Sequence, residues 1–337
     1  MAFDIRDLAV PVIVAPMAGG PSTPELVAAA GAAGALGFLA GGYLSAPVFA
    51  ERIRAARALT TGPVGANVFV PQPSAGTPEA LARYAATLRP LAERYGVEPG
   101  EPRYDDDDWA AKLDVLTDLR PEVASFTFGL PGERDCRRLR AAGITLVATV
   151  TTAAEARLAA ERGMDALVVQ GPSAGGHRGT FDPAASPASL SLAETLSAVR
   201  AVTDLPVIAA GGLMTADDIA RVRTAGAVAA QLGTAFLLAD EAGTNPVHRA
   251  ALRSDEFTET AVTKAFSGRY ARGLRNRFID DHEPRAPLAY PEVHHLTAPV
   301  RAAAVRAGDP QAVNLWAGTG FRRARTGSVA AILSGLA

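Results

Sequence analysis

Short runs of uninterrupted apolar residues recur along the chain, each followed by a stretch whose apolar positions fall at helical spacing. Eight of these runs predict strands: Val10–Met17, Ala35–Gly41, Val64–Val70, Val123–Gly129, Thr145–Thr151, Ala166–Gln170, Pro206–Gly211 and Val228–Thr234. A strand apolar at every position, rather than at alternate ones, is what a parallel sheet covered on both faces requires. Between the strands, Thr152-Ala-Ala-Glu155 and Thr215-Ala-Asp-Asp218 have the spacing of a capping box, in which hydroxyl and carboxylate each take up a free backbone N–H. They predict helix starts before Ala156–Arg162 and before a helix running through Arg223. Eight strand–helix units in succession predict an α/β protein of the (β/α)8 TIM barrel class, with an open doubly wound sheet as the alternative.

Two segments break the rhythm. Residues 71–120 are too long for one crossover and predict a helical insertion, with Asp105–Asp108 as its solvated start. Residues 240–305 carry loops, prolines and the basic stretch Arg269–Arg277, and predict an inserted lid subdomain over the substrate side. The barrel is then expected over 1–239 and 306–337, closed by a last helix from about Ser328. The uncharged run Leu26–Leu44 is long enough to raise a membrane span. Its five glycines weaken that reading, and a helix, a turn at Gly31–Gly34 and a strand are expected instead.

Composition narrows the function classes. A chain of 337 residues, 48% of them hydrophobic, suits one barrel with an appended subdomain. A net charge of −2 gives no electrostatic footprint for nucleic acid or an anionic membrane. Of 33 basic residues only Lys112 and Lys264 are lysines. The single cysteine, Cys136, excludes an internal disulfide and suits a reducing compartment. Asp4, Arg6 and Asp7 interrupt any secretory leader pattern at the start. The expectation is a cytoplasmic monomer or homodimer acting on a small molecule.

Active-site groups of such barrels sit at the C-terminal strand ends. The sixth predicted strand stops at Gln170 and opens into a glycine-rich loop presenting His177 between Gly176 and Arg178, where glycines let a ligand approach and a histidine can handle protons. The seventh and eighth strands end in Gly211-Gly212 and Gln231-Leu232-Gly233-Thr234. Barrel phosphate sites use those two loops, and backbone N–H groups with the Thr234 hydroxyl would hold a phosphate without a lysine. Ala15, Pro16 and Met17 at the first strand end, with Asn67 and Gln170 for a ring edge and Gly175 and Gly176 beside them, suit flavin mononucleotide (FMN). His177 is then the candidate catalytic residue. Thr127, Lys264 and Tyr270, with Arg269 and Arg272, are candidates for the substrate side. His248, His282, His294 and His295 have no metal-ligand spacing with carboxylates and are expected at the surface or in loops, and no metal is expected.

Five segments carry a resemblance: Ala15-Pro-Met-Ala-Gly-Gly20, Ser125-Phe-Thr-Phe-Gly-Leu-Pro131, Gln170-Gly-Pro-Ser-Ala-Gly-Gly-His-Arg-Gly179, Pro206-Val-Ile-Ala-Ala-Gly-Gly212 and Gln231-Leu-Gly-Thr234. Together they resemble the nitronate monooxygenases, formerly called 2-nitropropane dioxygenases. Lys264-Ala-Phe-Ser-Gly-Arg269 and Leu315-Trp-Ala-Gly318 are similar to the lid and tail of its class I. The resemblance implies an FMN barrel that oxidises alkyl nitronates, such as propionate 3-nitronate, with O2 to a carbonyl product and nitrite or nitrate, and it puts His177 at the catalytic-histidine position. Pro172-Ser173 and Thr127 depart from the family pattern, which bears on the substrate. The alternatives are an NAD(P)H-dependent FMN reductase, of the enoyl-acyl-carrier-protein reductase or quinone reductase type, and a non-catalytic flavin-binding protein.

Overall fold

The computed structural model describes residues 3–336. Eight parallel strands close into a barrel: β1 (Val12–Val14), β2 (Leu36–Ala40), β3 (Val64–Phe69), β4 (Val123–Thr127), β5 (Thr145–Val150), β6 (Ala166–Gln170), β8 (Val207–Ala210) and β9 (Ala229–Leu232). Closure comes from β1 against β9, with Val12 opposite Ala230 and Val14 opposite Leu232. All eight lie within the runs expected from the sequence, so the chain is a (β/α)8 barrel.

The unbroken apolar runs serve two cores in alternation. Ile13, Phe38, Val147, Val168 and Ile208 point into the barrel, and Ile5 joins them from a short helix at Ile5–Asp7. Their neighbours Val12, Val14, Leu39, Leu146, Ala148, Leu167 and Val169 point outward onto the helices. Gly65 makes room for this packing, since a Cβ there would stand 2.6 Å from the Phe38 ring. The Leu26–Leu44 run folds as α1 (Pro24–Ala32) and β2, and no helix among the described residues is long and apolar enough to cross a membrane.

The two helix starts differ in detail. Thr215 and Asp218 form the full capping box of the helix Ala216–Thr224. Thr152 caps the helix Ala153–Glu161, but the Glu155 carboxylate reaches past it to Thr151 N and Oγ1, and to Phe181 N. It thereby ties the end of β5 to the loop that follows His177. The last helix, Val329–Ser334, is capped by Ser328 as the sequence implies.

A second hydrophobic cluster lies outside the barrel. It draws on helix Pro78–Arg94 through Tyr84 and Leu88, on residues 237–304, and on Ala312 to Phe321. Its members therefore come from within the 71–120 segment and from beyond residue 305, as well as from between. The second helix of the 71–120 segment, Trp109–Leu119, contributes Leu113 and Leu116 to the barrel's own outer core. Three antiparallel strands cover the barrel mouth in the order β10 (Thr260–Thr263), β11 (Ala271–Leu274), β7 (Gly176–His177).

The acid run does stand at a helix start, with Asp108 as the N-cap residue of Trp109–Leu119 and with Asp106 and Asp108 exposed, but Asp105 and Asp107 are half-buried and all but Asp106 are engaged by the protein. Lys112, 1% exposed, places Nζ 2.7 Å from Asp107 Oδ2. Asp107 and Asp108 accept from the backbone N–H of Tyr43 and Ala46, bracing the turn after β2. Asp105 pairs with His295.

Candidate active site

A cavity of about 400 Å³ opens over the C-terminal strand ends, within the size range of ligand pockets. Ala15, Pro16, Met17, Asn67, Thr127, Gln170, Gly175, Gly176, His177, Gly211, Gly212, Gln231, Leu232, Gly233 and Thr234 all line it. Lys264 and Tyr270 do not. Lys264 Nζ is taken by the Glu283 carboxylate at 2.9 Å, and Tyr270 supplies a backbone carbonyl to Arg178 N. Arg269 and Arg272 are likewise committed to the protein, to Thr180 O and to Pro172 O and Thr260 Oγ1.

His177 stands in a strand rather than a free loop. β7 pairs with β11, His177 opposite Ala271, so the glycine-rich segment is clamped between the barrel and the outer sheet. Gly176 takes φ +75° and Gly175 has no room for a side chain, its Cβ meeting Ala317 C at 2.5 Å. Gln170 completes the clamp: its Nε2 donates to His177 O and its Oε1 accepts from Gly179 N. Its amide holds the histidine segment, where the sequence suggested a ring-edge contact.

The imidazole is boxed by Phe128, Tyr290 and Trp316, with ring centroids 5.7, 5.8 and 5.5 Å away. Phe128 is held at φ +79°, a conformation a non-glycine residue keeps only where its surroundings enforce it. The Arg269 guanidinium covers its other face, 4.0 Å from the ring centroid. His177 Nε2 lies 2.8 Å from Ser267 Oγ, and the Ser267 hydroxyl donates to Arg269 O. Ser267 Oγ therefore accepts from Nε2–H, which leaves Nδ1 as the basic nitrogen. Burial, reinforced by the charges of Arg269 and Arg301, pushes the histidine down to about 3. It is a neutral group throughout the physiological range.

The glycine strand ends present donors. Among the described residues the N–H groups of Gly212 and Gly233 meet no protein acceptor. Gly211 and Gly212 turn through φ +115° and +76°, and a Cβ on Gly233 would face the cavity beside Ala15 and Met17. Thr234 Oγ1 accepts from Gly318 N, which frees its O–H to donate. Asn67 spends Nδ2 on Ser125 and Thr127 and keeps Oδ1 free. Bare N–H groups around a hydroxyl fit a phosphate dianion, and an amide oxygen across the barrel mouth fits the N–H edge of a planar ring.

Of the four histidines expected at the surface or in loops, His248 and His282 are buried, and His294 and His295 are half-buried. His248 and His294 line the cavity, and His282 packs on Phe278. Helix α11 (Glu292–Arg306) places His294, Ala298, Arg301, Ala302 and Val305 along one cavity wall. That spacing is readable in the sequence as one helix face, whereas Ser267, Tyr290 and Trp316 carry no local signal of their place around His177.

The architecture and cavity define a class: a TIM barrel whose cavity brings glycine strand ends with unpaired N–H groups together with a neutral, half-buried histidine. Within that class the chain belongs to the nitronate monooxygenase family, whose model matches residues 4–337. It is 36% identical over 333 residues to a probable nitronate monooxygenase of Staphylococcus aureus (strain Newman), covering 97% of this chain and 93% of the relative. A probable nitronate monooxygenase of Bacillus subtilis (strain 168) is also 36% identical, over 314 residues, covering 93% and 90%. Among solved structures, nitroalkane oxidase from Streptomyces ansochromogenes superposes with a TM-score of 0.94 at 46% identity, over 98% of this chain and 95% of that one. FabK from Thermotoga maritima shares the fold, with a TM-score of 0.75 at 22% identity over 98% and 93%.

Proposed function

We propose that the protein oxidises short alkyl nitronates of the propionate 3-nitronate kind with O2, using FMN, to a carbonyl product and nitrite or nitrate. The observation that carries this reading is the neutral, boxed His177 facing a cavity ringed by glycine strand ends. Family membership supports the same chemistry.

In this reading Gly212, Gly233 and Thr234 hold the FMN phosphate, Ala15–Met17 flank the ring, and Asn67 Oδ1 takes its N–H edge. FMN supplies the redox chemistry when bound, because an electron-rich nitronate can give up electrons that O2 finally receives. His177 serves the substrate from a fixed position. Its Nε2–H is spent on Ser267, so Nδ1 is the atom that accepts a proton or hydrogen bond from a substrate. A histidine held neutral and weakly basic is a poor base for a carbon acid. The site is accordingly set up for a preformed nitronate, with the neutral nitroalkane as the slower substrate. The three-stranded sheet and the α11 wall are the lid that keeps water from the reacting carbon.

The test is direct. The purified protein should be yellow, release FMN on denaturation, and consume O2 with nitronates. Rapid anaerobic bleaching by NADH or NADPH, without nitronate-dependent O2 uptake, would instead support the reductase alternative.

A further inference from the structure

The cavity holds a second polar centre that the reading above leaves unused. Arg301, on α11, directs Nε to Thr297 Oγ1 at 3.0 Å, Nη1 to Asn314 Oδ1 at 3.2 Å, and Nη2 to His294 Nδ1 at 3.2 Å and His294 O at 2.9 Å. Every partner is neutral. Among the described residues no carboxylate comes within ion-pair distance of it, although eleven other arginines form such pairs. Burial lowers Arg301 only to about 10, so it remains a cation at neutral pH. Removing a guanidinium from water without a counter-ion is costly, and an anion arriving beside it recovers part of that cost.

Its surroundings fit such an arrival. Arg301, His294 and Asn314 all line the cavity that His177 lines, from a wall built by the second core rather than by the barrel. Four of the five guanidinium N–H bonds are used to fix its plane, which leaves one on Nη1 for a ligand. His294, whose Nδ1 accepts from Arg301, keeps its ring in place by stacking on Tyr43, with centroids 4.0 Å apart and planes 1° from parallel. Acceptors of a rigid, desolvated guanidinium are typically carboxylates or phosphates. The phosphate donors inferred above come from the loops after β8 and β9, not from α11.

We propose that Arg301 is a specificity-determining residue that holds a carboxylate at the end of the substrate remote from the nitronate carbon. The assignment rests on the function proposed above, whose propionate 3-nitronate-like substrate carries such a carboxylate.

The experiment compares wild type, Arg301→Met and Arg301→Lys, as purified with cofactor, on the nitronates of 3-nitropropionate and of 1-nitropropane. These differ by the carboxylate. Arg301→Met should lose about 10- to 100-fold in kcat/KM on the carboxylated nitronate, mostly through KM, the scale of one charge-assisted contact. On the uncharged nitronate the loss should be clearly smaller, so that the ratio of the two kcat/KM values falls by about 10-fold or more, and retained turnover there also shows that the variant folds. Arg301→Lys should recover part of the loss. A readout independent of turnover is the rise in thermal midpoint produced by 3-nitropropionate, expected in wild type and absent in Arg301→Met. Equal losses on both nitronates overturn the proposal, as does loss of FMN from Arg301→Met, which would give the guanidinium to the cofactor phosphate. If wild type oxidises neither nitronate yet shows the Arg301-dependent thermal shift, the carboxylate subsite stands and the proposed activity falls.

Discussion

His177 owes its chemistry to what surrounds it. An exposed histidine would titrate near neutrality, whereas three aromatic rings and two arginine charges keep this one neutral. The first expected outcome follows from that. His177→Asn should retain FMN and keep a donor for Ser267 while losing the ability to take a proton. kcat/KM on a preformed nitronate should fall by about 10-fold, and on the neutral nitroalkane by somewhat more, near the low end of the roughly 10²–10⁴-fold range of general-base assistance because the histidine is a weak base. Wild-type kcat/KM on the nitronate should show no inflection from His177 between pH 6 and 9. Steady-state rates on both forms check all three statements, and wild-type rates in the variant would remove His177 from the mechanism. A second outcome concerns Gly233, where a Cβ would make only ordinary contacts of 3.5 Å and beyond. Gly233→Ala should bind FMN, whereas Gly233→Asp should fold but fail to retain it, because a carboxylate opposes the phosphate. Flavin-to-protein absorbance ratios read this directly. Both residues were legible in the sequence from glycines at strand ends. Ser267 was not, because a serine among lid residues signals nothing until β11 and β7 bring it to the imidazole.

At the scale of elements, the barrel was legible because a parallel strand covered on both faces must be apolar throughout, and eight such runs have few other arrangements. The mouth was not. β7 is two residues long, and its pairing with β11 depends on chain some ninety-five residues away, which no local periodicity encodes. The acid run 105–108 was legible as a helix start but not as a brace, for a related reason: a row of aspartates reads as solvated unless its one buried lysine is matched to it. That pair braces the turn after β2. Burial pushes Asp107 up to about 6, with Lys112 acting against the shift. Lys112→Met should therefore destabilise the protein by about 3–5 kcal/mol at pH 8, by stranding a buried carboxylate. The loss should be smaller at pH 5.5, where Asp107 takes a proton and sheds its charge. Urea midpoints at the two pH values measure the difference, and equal losses would contradict it.

For the molecule as a whole, the buried histidines set the response to acid. His177 and His248 are held near 3 and 4, against 6.5 for an ordinary histidine, in both cases chiefly by burial, and His294 is lowered further. Between those values and 6.5 the unfolded chain binds protons that the folded chain refuses. Stability contributed by the neutral histidines is intact above pH 6.5 and declines as the pH drops below it. Midpoints of urea unfolding should fall steadily from pH 7 to pH 4.5, and His248→Gln should flatten that slope. A profile unchanged by the substitution would take His248 out of the acid response. The same burial keeps the cavity histidine neutral, so acid sensitivity and the proposed preference for a preformed nitronate share one cause.

The central claim is that this barrel oxidises nitronates with O2. The measurement that tests it most directly is O2 uptake, with nitrite determined in the same sample, by the purified protein given a carboxylated nitronate, its parent nitroalkane, or NADH and NADPH. Nitronate-dependent O2 consumption with release of nitrite or nitrate, slower turnover of the nitroalkane and no stimulation by either nicotinamide are expected. Nicotinamide-driven O2 consumption with the nitronate inert would contradict the claim.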